Sequence, residues 1–347
     1  MVGLLQNQRE FFPRILFETY YTVPNLVIRL NNPRNDISPF DPISGSSHQL
    51  DSDLACLERR LILPFLTSIE LLHVRNIMLC GSNPPAHPDF EFILSRFFGH
   101  VEHVSVCLFP GQSRGWESLL SRYGHELIFF LGPFSGNDRE FLESLFEGLT
   151  KDIAFLREQR KVPHIRGILY LSAGSFMHLE NVTGAVHQAG FDSLEFYPPN
   201  LFLPRACERV YAPLESSLVP GIQDVLFQDA EFWDLMEKRN FATGLFDMNQ
   251  CWRQLDRALN FFKTVQGSGE FSPPHCRASR LSLYIEPSGM ARSCPYQKVV
   301  GDMNRKPLME IDRGETMREF RGHLNLAHNE ICPVCPGVYP HLLWRVR

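Results

Sequence analysis

Short apolar runs alternate with longer amphipathic stretches along the first 200 residues of the chain. The runs, such as NIMLCG, HVSVCLF and ELIFFLG, are apolar at almost every position, which is typical of strands buried on both faces. In the longer stretches apolar residues recur every three or four positions, as expected of helices that pack on a sheet. We predict strands at 15–21, 76–81, 103–109, 126–132, 165–171 and 192–197, and helices at 50–72 (interrupted by Pro64), 87–98, 113–124, 138–159 and 176–190.

This alternation predicts an α/β fold with a parallel sheet covered by helices. Six strand–helix units fit a partial barrel or an open doubly wound sheet, and periodicity does not choose between the two. Pro198 and Pro199 end the alternation. We predict that residues 201–266 are mostly helical and that GSGEFSPP at 267–274 is a linker.

The C-terminal part of the chain has the pattern of a small separate module. LSLYIE at 281–286 and ARSCPY at 291–296 predict a β-hairpin, and residues 307–322 predict one helix. The predicted domains are residues 1–200 for the strand–helix units, 201–270 for a helical connector and linker, and 271–347 for the C-terminal module.

Composition narrows the class of protein. The 347 residues carry a formal net charge of −5 and 44% are hydrophobic, so we expect no nucleic-acid partner and no anionic membrane surface as a partner. No run approaches the ~18 apolar residues of a membrane helix. The first residues lack the basic and apolar regions of a signal peptide, and we expect a cytoplasmic protein.

Nine cysteines are present, and an odd number without a secretion signal argues against a disulfide framework. The first five lie in or beside apolar stretches and are expected to be core residues. The last four are Cys276, Cys294, Cys332 and Cys335, of which the last two form a C-x2-C knuckle. They are compatible with four unrelated thiols, with structural zinc, or with an iron–sulfur cluster. Zinc bound by four cysteines usually has two such knuckles, so the irregular spacing favours the cluster.

The order of residues in this module resembles the SPASM/twitch module of radical S-adenosylmethionine (SAM) enzymes. The matching order is Cys276, Gly289-x4-Cys294, Gly301-Asp302-Met303 and Cys332-x2-Cys335. The resemblance implies one auxiliary 4Fe–4S cluster bound by the four cysteines, as in the shorter, twitch-like form. Upstream, LCGSNPPAHPDFEFIL at 79–94 resembles the Gly-Gly-Glu-Pro loop and the following helix of that family. The resemblance covers roughly residues 15–340, so that the expected fold is a partial (β/α)6 radical-SAM-like barrel followed by the iron–sulfur module.

The catalytic motif of the family is missing. Its C-x3-C-x2-C loop follows the first strand, and with a first strand at 15–21 the corresponding stretch is TVPNLVIRLNN at 22–32, where Pro24, Ile28 and Asn31 replace the three cysteines. The Gly-Gly-Glu-Pro loop lacks its carboxylate, and the family's Ser-x-Asp-Gly is replaced by FFLG at 129–132. An apolar mouth would leave polar atoms of SAM unpaired. We therefore expect no SAM binding, no catalytic residues and no independent radical SAM activity.

Three functions are compatible with this combination. The first, which we favour, is a catalytically silent subunit of an active radical SAM enzyme, in a hetero-oligomer that modifies a peptide or makes a cofactor or natural product. The second is a stand-alone iron–sulfur protein that transfers electrons or binds a substrate. The third is an enzyme whose barrel has acquired other chemistry.

Overall fold

The computed structural model describes residues 25–33, 54–81, 83–131, 139–159, 161, 163–170, 179–197, 203–204, 209–210, 278–294, 297–324 and 332. Its strands are β1 Asn25–Pro33, β2 Leu54–Cys56, β3 Asn76–Gly81, β4 His103–Leu108, β5 Glu126–Leu131, β6 His164–Tyr170, β7 Ser193–Tyr197, β8 Leu203–Pro204, β9 Arg209–Val210, β10 Ser282–Ile285, β11 Met290–Arg292 and β12 Val299–Asp302. Its helices are α1 Arg59–Leu71, α2 Phe90–Phe98, α3 Glu117–Tyr123, α4 Arg139–Arg157, α5 Leu179–Gln188, α6 Ala278–Leu281, α7 Leu308–Arg313 and α8 Glu315–His323, with a 3-10 turn at Pro84–Ala86.

Six parallel strands form the centre of one large sheet, in the order β1-β3-β4-β5-β6-β7. Because this order follows the chain without reversing, the winding is that of a barrel and not of a doubly wound sheet, in which the order reverses at a switch point. The sequence left these two alternatives open, and the strand order decides for the partial barrel.

The C-terminal module continues the same sheet. Strand β10 pairs in parallel with β1 on the side away from β3, and β11 and β12 follow as antiparallel neighbours. Strand β2 pairs with the end of β1, and β8 pairs with β9 in a separate two-stranded sheet.

The two faces of the central strands have different surroundings. Leu127, Phe129 and Leu131 of β5 belong to the main hydrophobic cluster, which also contains buried residues of the helices. The alternate residues, Ile128 and Phe130, are buried outside that cluster. We call the face that carries them the inner face of the sheet, since the packing helices lie on the other side.

The predicted strands from 76–81 to 192–197 and most predicted helices are confirmed to within a few residues. The structure corrects the prediction for residues 25–32. Residues 25–32, predicted as a loop, lie in β1, where they pair with β3 on one side and β10 on the other. Leu26, Ile28 and Leu30 fill the helix-covered face, which explains the strand. The strand predicted at 15–21 lies outside the described residues.

Three further predictions differ from the structure. Helix α1 begins at Arg59, because residues 54–56 form β2, and it continues through Pro64. The helix predicted at 307–322 is two helices separated at Gly314, whose backbone is extended. In the region predicted as mostly helical, β8 and β9 are strands, and the rest of 201–266 lies outside the described residues. In the part of the chain that the structure describes, every helix is too short or too polar to cross a bilayer.

Candidate functional site

The hairpin formed by β10 and β11 carries Cys294 at its end. The Gly289 N–H donates to the Glu286 carbonyl at 2.9 Å, and Gly289 has a φ of +84°, which favours glycine. The loop after β12 lies against this turn, since the Met303 N–H donates to the Gly289 carbonyl at 2.9 Å and Asn304 Nδ2 donates to the Ser288 carbonyl at 2.8 Å. The two glycine-containing motifs of the sequence therefore meet at one turn.

Gln297 connects the end of this hairpin to the C-terminal knuckle. Its backbone N–H donates to the Cys294 carbonyl at 3.1 Å, and its side-chain Nε2 donates to Cys332 Sγ at 3.8 Å. Its carbonyl accepts a hydrogen bond from Arg292 Nη1, and Arg292 Nε pairs with Glu286 Oε1 at 2.6 Å. Gln297 thus bridges Cys332 and the turn that contains Cys294.

The structure places two of the four predicted ligands, Cys294 and Cys332, and both are half-buried. Cys276 and Cys335 lie outside the described residues, so that the four-cysteine set stays a prediction. No group of three metal-binding side chains occurs among the residues that the structure describes. The donor set nevertheless fits an iron–sulfur cluster, because thiols are its ligands and N–H groups directed at sulfur stabilise it. Ser293 Oγ, beside Cys294, is buried and has no hydrogen-bond partner in the described part of the chain.

The cysteines of the N-terminal half behave differently. Cys80 and Cys107 are buried, which confirms the prediction that they are core residues. Cys56 is half-buried in β2, and its burial raises the pKa of its thiol, which makes it a poor nucleophile and ligand. Cys207 and Cys251 lie outside the described residues.

At the carboxyl ends of β1 and β3, the Asn31 side chain contacts the residues that follow β3. This side chain is fully buried; Nδ2 donates to the Asn83 carbonyl at 2.5 Å, and Oδ1 accepts the Asn83 N–H at 3.1 Å. Gly81 has a φ of +148°, and a Cβ there would lie 2.4 Å from Asn31 Oδ1. The asparagine therefore fills the space beside Gly81 and pairs with the backbone of Asn83.

A buried ionic network lies on the inner face, and sequence analysis did not find it. Arg166 pairs with Glu126 and, at 3.3 Å, with Glu195, while Tyr197 and Ser105 donate to these carboxylates. Burial alone would raise the pKa of Glu126, but its contacts with His103, Arg166 and Ser105 outweigh burial and lower that pKa to about 2. The available signal was one charged residue inside each apolar strand, as in ELIFFL, HIRGILY and SLEFY.

Comparison with known proteins agrees with this architecture. Residues 276–336 match the SPASM family, described as an iron–sulfur cluster-binding domain. Among solved structures, Streptococcus suis SuiB bound to its precursor peptide SuiA has a TM-score of 0.56 at 11% identity, covering 97% of this chain and 76% of SuiB. The chain has a radical SAM fold and a C-terminal SPASM domain.

Two other structures show the same likeness of fold. SuiB bound to S-adenosylmethionine has a TM-score of 0.57 at 11% identity, with 97% of this chain and 77% of that chain covered. The enzyme anSMEcpe with bound AdoMet has a TM-score of 0.54 at 12% identity, with 91% and 84% covered. No curated protein sequence matches this chain significantly. The SPASM match spans all four predicted cluster cysteines, from Cys276 to one residue beyond Cys335.

The radical SAM fold corrects the position assigned to the missing catalytic motif. In the family the C-x3-C-x2-C loop follows the first strand of the barrel, and the first strand that the structure describes ends at Pro33. Ile28 and Asn31 lie within that strand, which contradicts the loop predicted at 22–32, whereas Pro24 lies outside the described residues. Residues 34–55, which follow the strand in the sequence, contain no cysteine. No three cysteines in the whole sequence have the C-x3-C-x2-C spacing.

Proposed function

We propose that this protein is a catalytically silent radical-SAM-like subunit. It holds one 4Fe–4S cluster through Cys276, Cys294, Cys332 and Cys335, and it acts with an active radical SAM enzyme that modifies a peptide. The observation that carries the proposal is a difference in cysteine content between the two parts of the chain. The SPASM domain keeps its cysteines, whereas the segment from β1 through residue 55 offers no site for the catalytic cluster.

Two features of the C-terminal site support the cluster. Gln297 brings Cys332 beside the turn of Cys294 and directs an N–H at its sulfur. The spacing of the remaining cysteines is compatible with four thiolates converging on one cluster. When bound, such a cluster supplies one-electron transfer.

The contact between Asn31 and Asn83 supports catalytic silence. The buried Asn31 amide already pairs with both the backbone N–H and the carbonyl of Asn83, so a ligand that used these two groups would have to displace it. The charged groups deeper on the inner face already pair with one another, so we assign them a structural role.

The proposal also includes a partner enzyme and a peptide as the class of substrate. A chain that cannot cleave SAM can still bind the substrate or pass electrons for an enzyme that does. SuiB, whose fold this chain shares, has been solved with a precursor peptide bound. This supports a peptide as the class of substrate.

The first test is the iron, sulfide and zinc content of anaerobically purified protein. We expect about four iron and four sulfide per chain, lost in the double variant Cys332→Ala/Cys335→Ala. The matched control is Cys56→Ala, which removes a thiol outside the SPASM domain and should keep the cluster. One zinc without sulfide would refute the cluster. Tight binding of SAM in a calorimetric titration of the same sample would refute catalytic silence.

A second test addresses the partner. The protein is isolated from its native source under anaerobic conditions, and the complex is analysed by native mass spectrometry. We expect a stoichiometric second protein with an intact C-x3-C-x2-C motif. A monomer or homo-oligomer with no such protein would refute the partner role while leaving the cluster assignment standing.

A further inference from the structure

The side-chain amide of Gln297 is fixed in place beside a predicted cluster ligand. Gln297 is 5% exposed, and its Nε2 lies 3.8 Å from Cys332 Sγ. The backbone of the same residue is held on both sides, by the Cys294 carbonyl and by the Arg292 guanidinium. Arg292 is itself paired with Glu286. The amide therefore has little freedom to turn away from the sulfur.

A hydrogen bond from N–H to a ligand sulfur changes the energy of a cluster in a known direction. Reduction adds negative charge, which is spread over the iron and sulfur atoms. A donor directed at sulfur stabilises the reduced form more than the oxidised form, so it raises the reduction potential. The burial of Gln297 strengthens this effect, because little water reaches its amide to compete for the N–H or to screen the dipole.

We infer that Gln297 is a positioning residue that orients Cys332 as a ligand and raises the reduction potential of the auxiliary cluster through its Nε2–H. The inference rests on the proposed cluster and extends it. It assigns to this residue control over the potential at which the SPASM domain accepts an electron. The neighbouring Lys298 is exposed and carries no such role.

The test compares Gln297→Leu, which removes the donor, with wild type and with Lys298→Gln. Each protein is loaded with its cluster, and the midpoint potential is measured by a redox titration followed by electron paramagnetic resonance. We expect Gln297→Leu to shift to a lower potential, and Lys298→Gln, which removes one positive charge from the next residue, to shift by much less. Equal potentials in wild type and Gln297→Leu would overturn the inference.

A second measurement decides the inference on wild-type protein and does not require Gln297→Leu to assemble a cluster. Wild-type protein is produced with ¹⁵N in its glutamine side-chain amides. Pulsed electron paramagnetic resonance spectra of the reduced cluster are then recorded. We expect one weakly coupled amide nitrogen, which disappears in the shape-conserving variant Gln297→Glu. A cluster without any such coupling in wild type would overturn the inference, whereas wild-type protein with no iron and sulfide would instead refute the proposed function.

Discussion

Replacing Arg166 by methionine is the sharpest test of the buried network on the inner face of the barrel. Arg166 is 1% exposed and lies between Glu126 and Glu195, which are 6% and 1% exposed. Removing the arginine leaves two carboxylates buried close to each other without their shared cation. We therefore expect Arg166→Met to destabilise the fold although methionine is a good core residue.

The structure sets the size and the pH dependence of this effect. Removing one partner of a buried ion pair costs about 3–5 kcal/mol. Contacts with His103, Arg166 and Ser105 together lower the pKa of Glu126 from 4.5 to about 2, so removing Arg166 takes away part of that depression. A depressed carboxyl pKa contributes stability that is present above the unfolded value of 4.5 and is lost as pH falls through about 2. In the variant that pKa rises, so protonation relieves the repulsion and the difference from wild type shrinks on acidification.

The assay is urea unfolding followed by circular dichroism on anaerobic, cluster-loaded protein at about pH 7 and about pH 5. The control is Arg75→Met, which breaks a pair with Glu102 whose side chains are 67% and 63% exposed; it should cost less than about 1 kcal/mol. The reasoning is refuted if Arg166→Met costs no more than Arg75→Met, or if its cost does not shrink at the lower pH.

Three further substitutions test other contacts by thermal or urea unfolding. Burial, with nearby positive charge, lowers the pKa of His125 to about 4, so stability should fall as pH drops from 6.5 towards 4, and His125→Asn should flatten that slope; an unchanged slope would contradict this. Gly301→Ala places a Cβ 2.4 Å from Ile311 and should cost about 1–3 kcal/mol, partly recovered by adding Ile311→Ala; a neutral single variant would count against the close packing. Asn31→Ala should cost about 1–3 kcal/mol because it unpairs the Asn83 backbone, and a loss within error would show that water replaces the amide.

The sequence predicted those parts of the fold that depend on local pattern. Strands β3 to β7 are almost continuously apolar, and the segments between them have the period of amphipathic helices. Together these two patterns specify a parallel sheet that is covered by helices. The hairpin of β10 and β11 was predicted because its turn contains a proline and a glycine. The cysteine spacing pointed to an iron–sulfur module, and the match to the SPASM family confirms that type of domain.

What the sequence did not predict depends on contacts between distant segments. Strand β1 was predicted as a loop because ILFETYY, just before it, has the pattern of a strand, and pairing with β3 and β10 is what identifies residues 25–33 as a strand. The three charges of the network lie in three different strands, and each looks like an isolated exception within its own strand. Gln297 has no distinguishing pattern at all, since its significance comes from a cysteine in another segment.

Under the proposed function, the sheet also explains why the barrel would persist without a catalytic site. Residues 25–28 of β1 pair with residues 76–79 of β3 on one side and with residues 282–285 of β10 on the other. The hairpin that leads to Cys294 is therefore held in place by pairing with β1 of the barrel. Without the barrel, β10 would become an exposed edge, and the turn that brings Gln297 to Cys332 would lose its support. A protein selected only for its SPASM cluster would still have to keep the radical SAM scaffold, whereas nothing in this arrangement would require it to keep the cysteines of the catalytic loop.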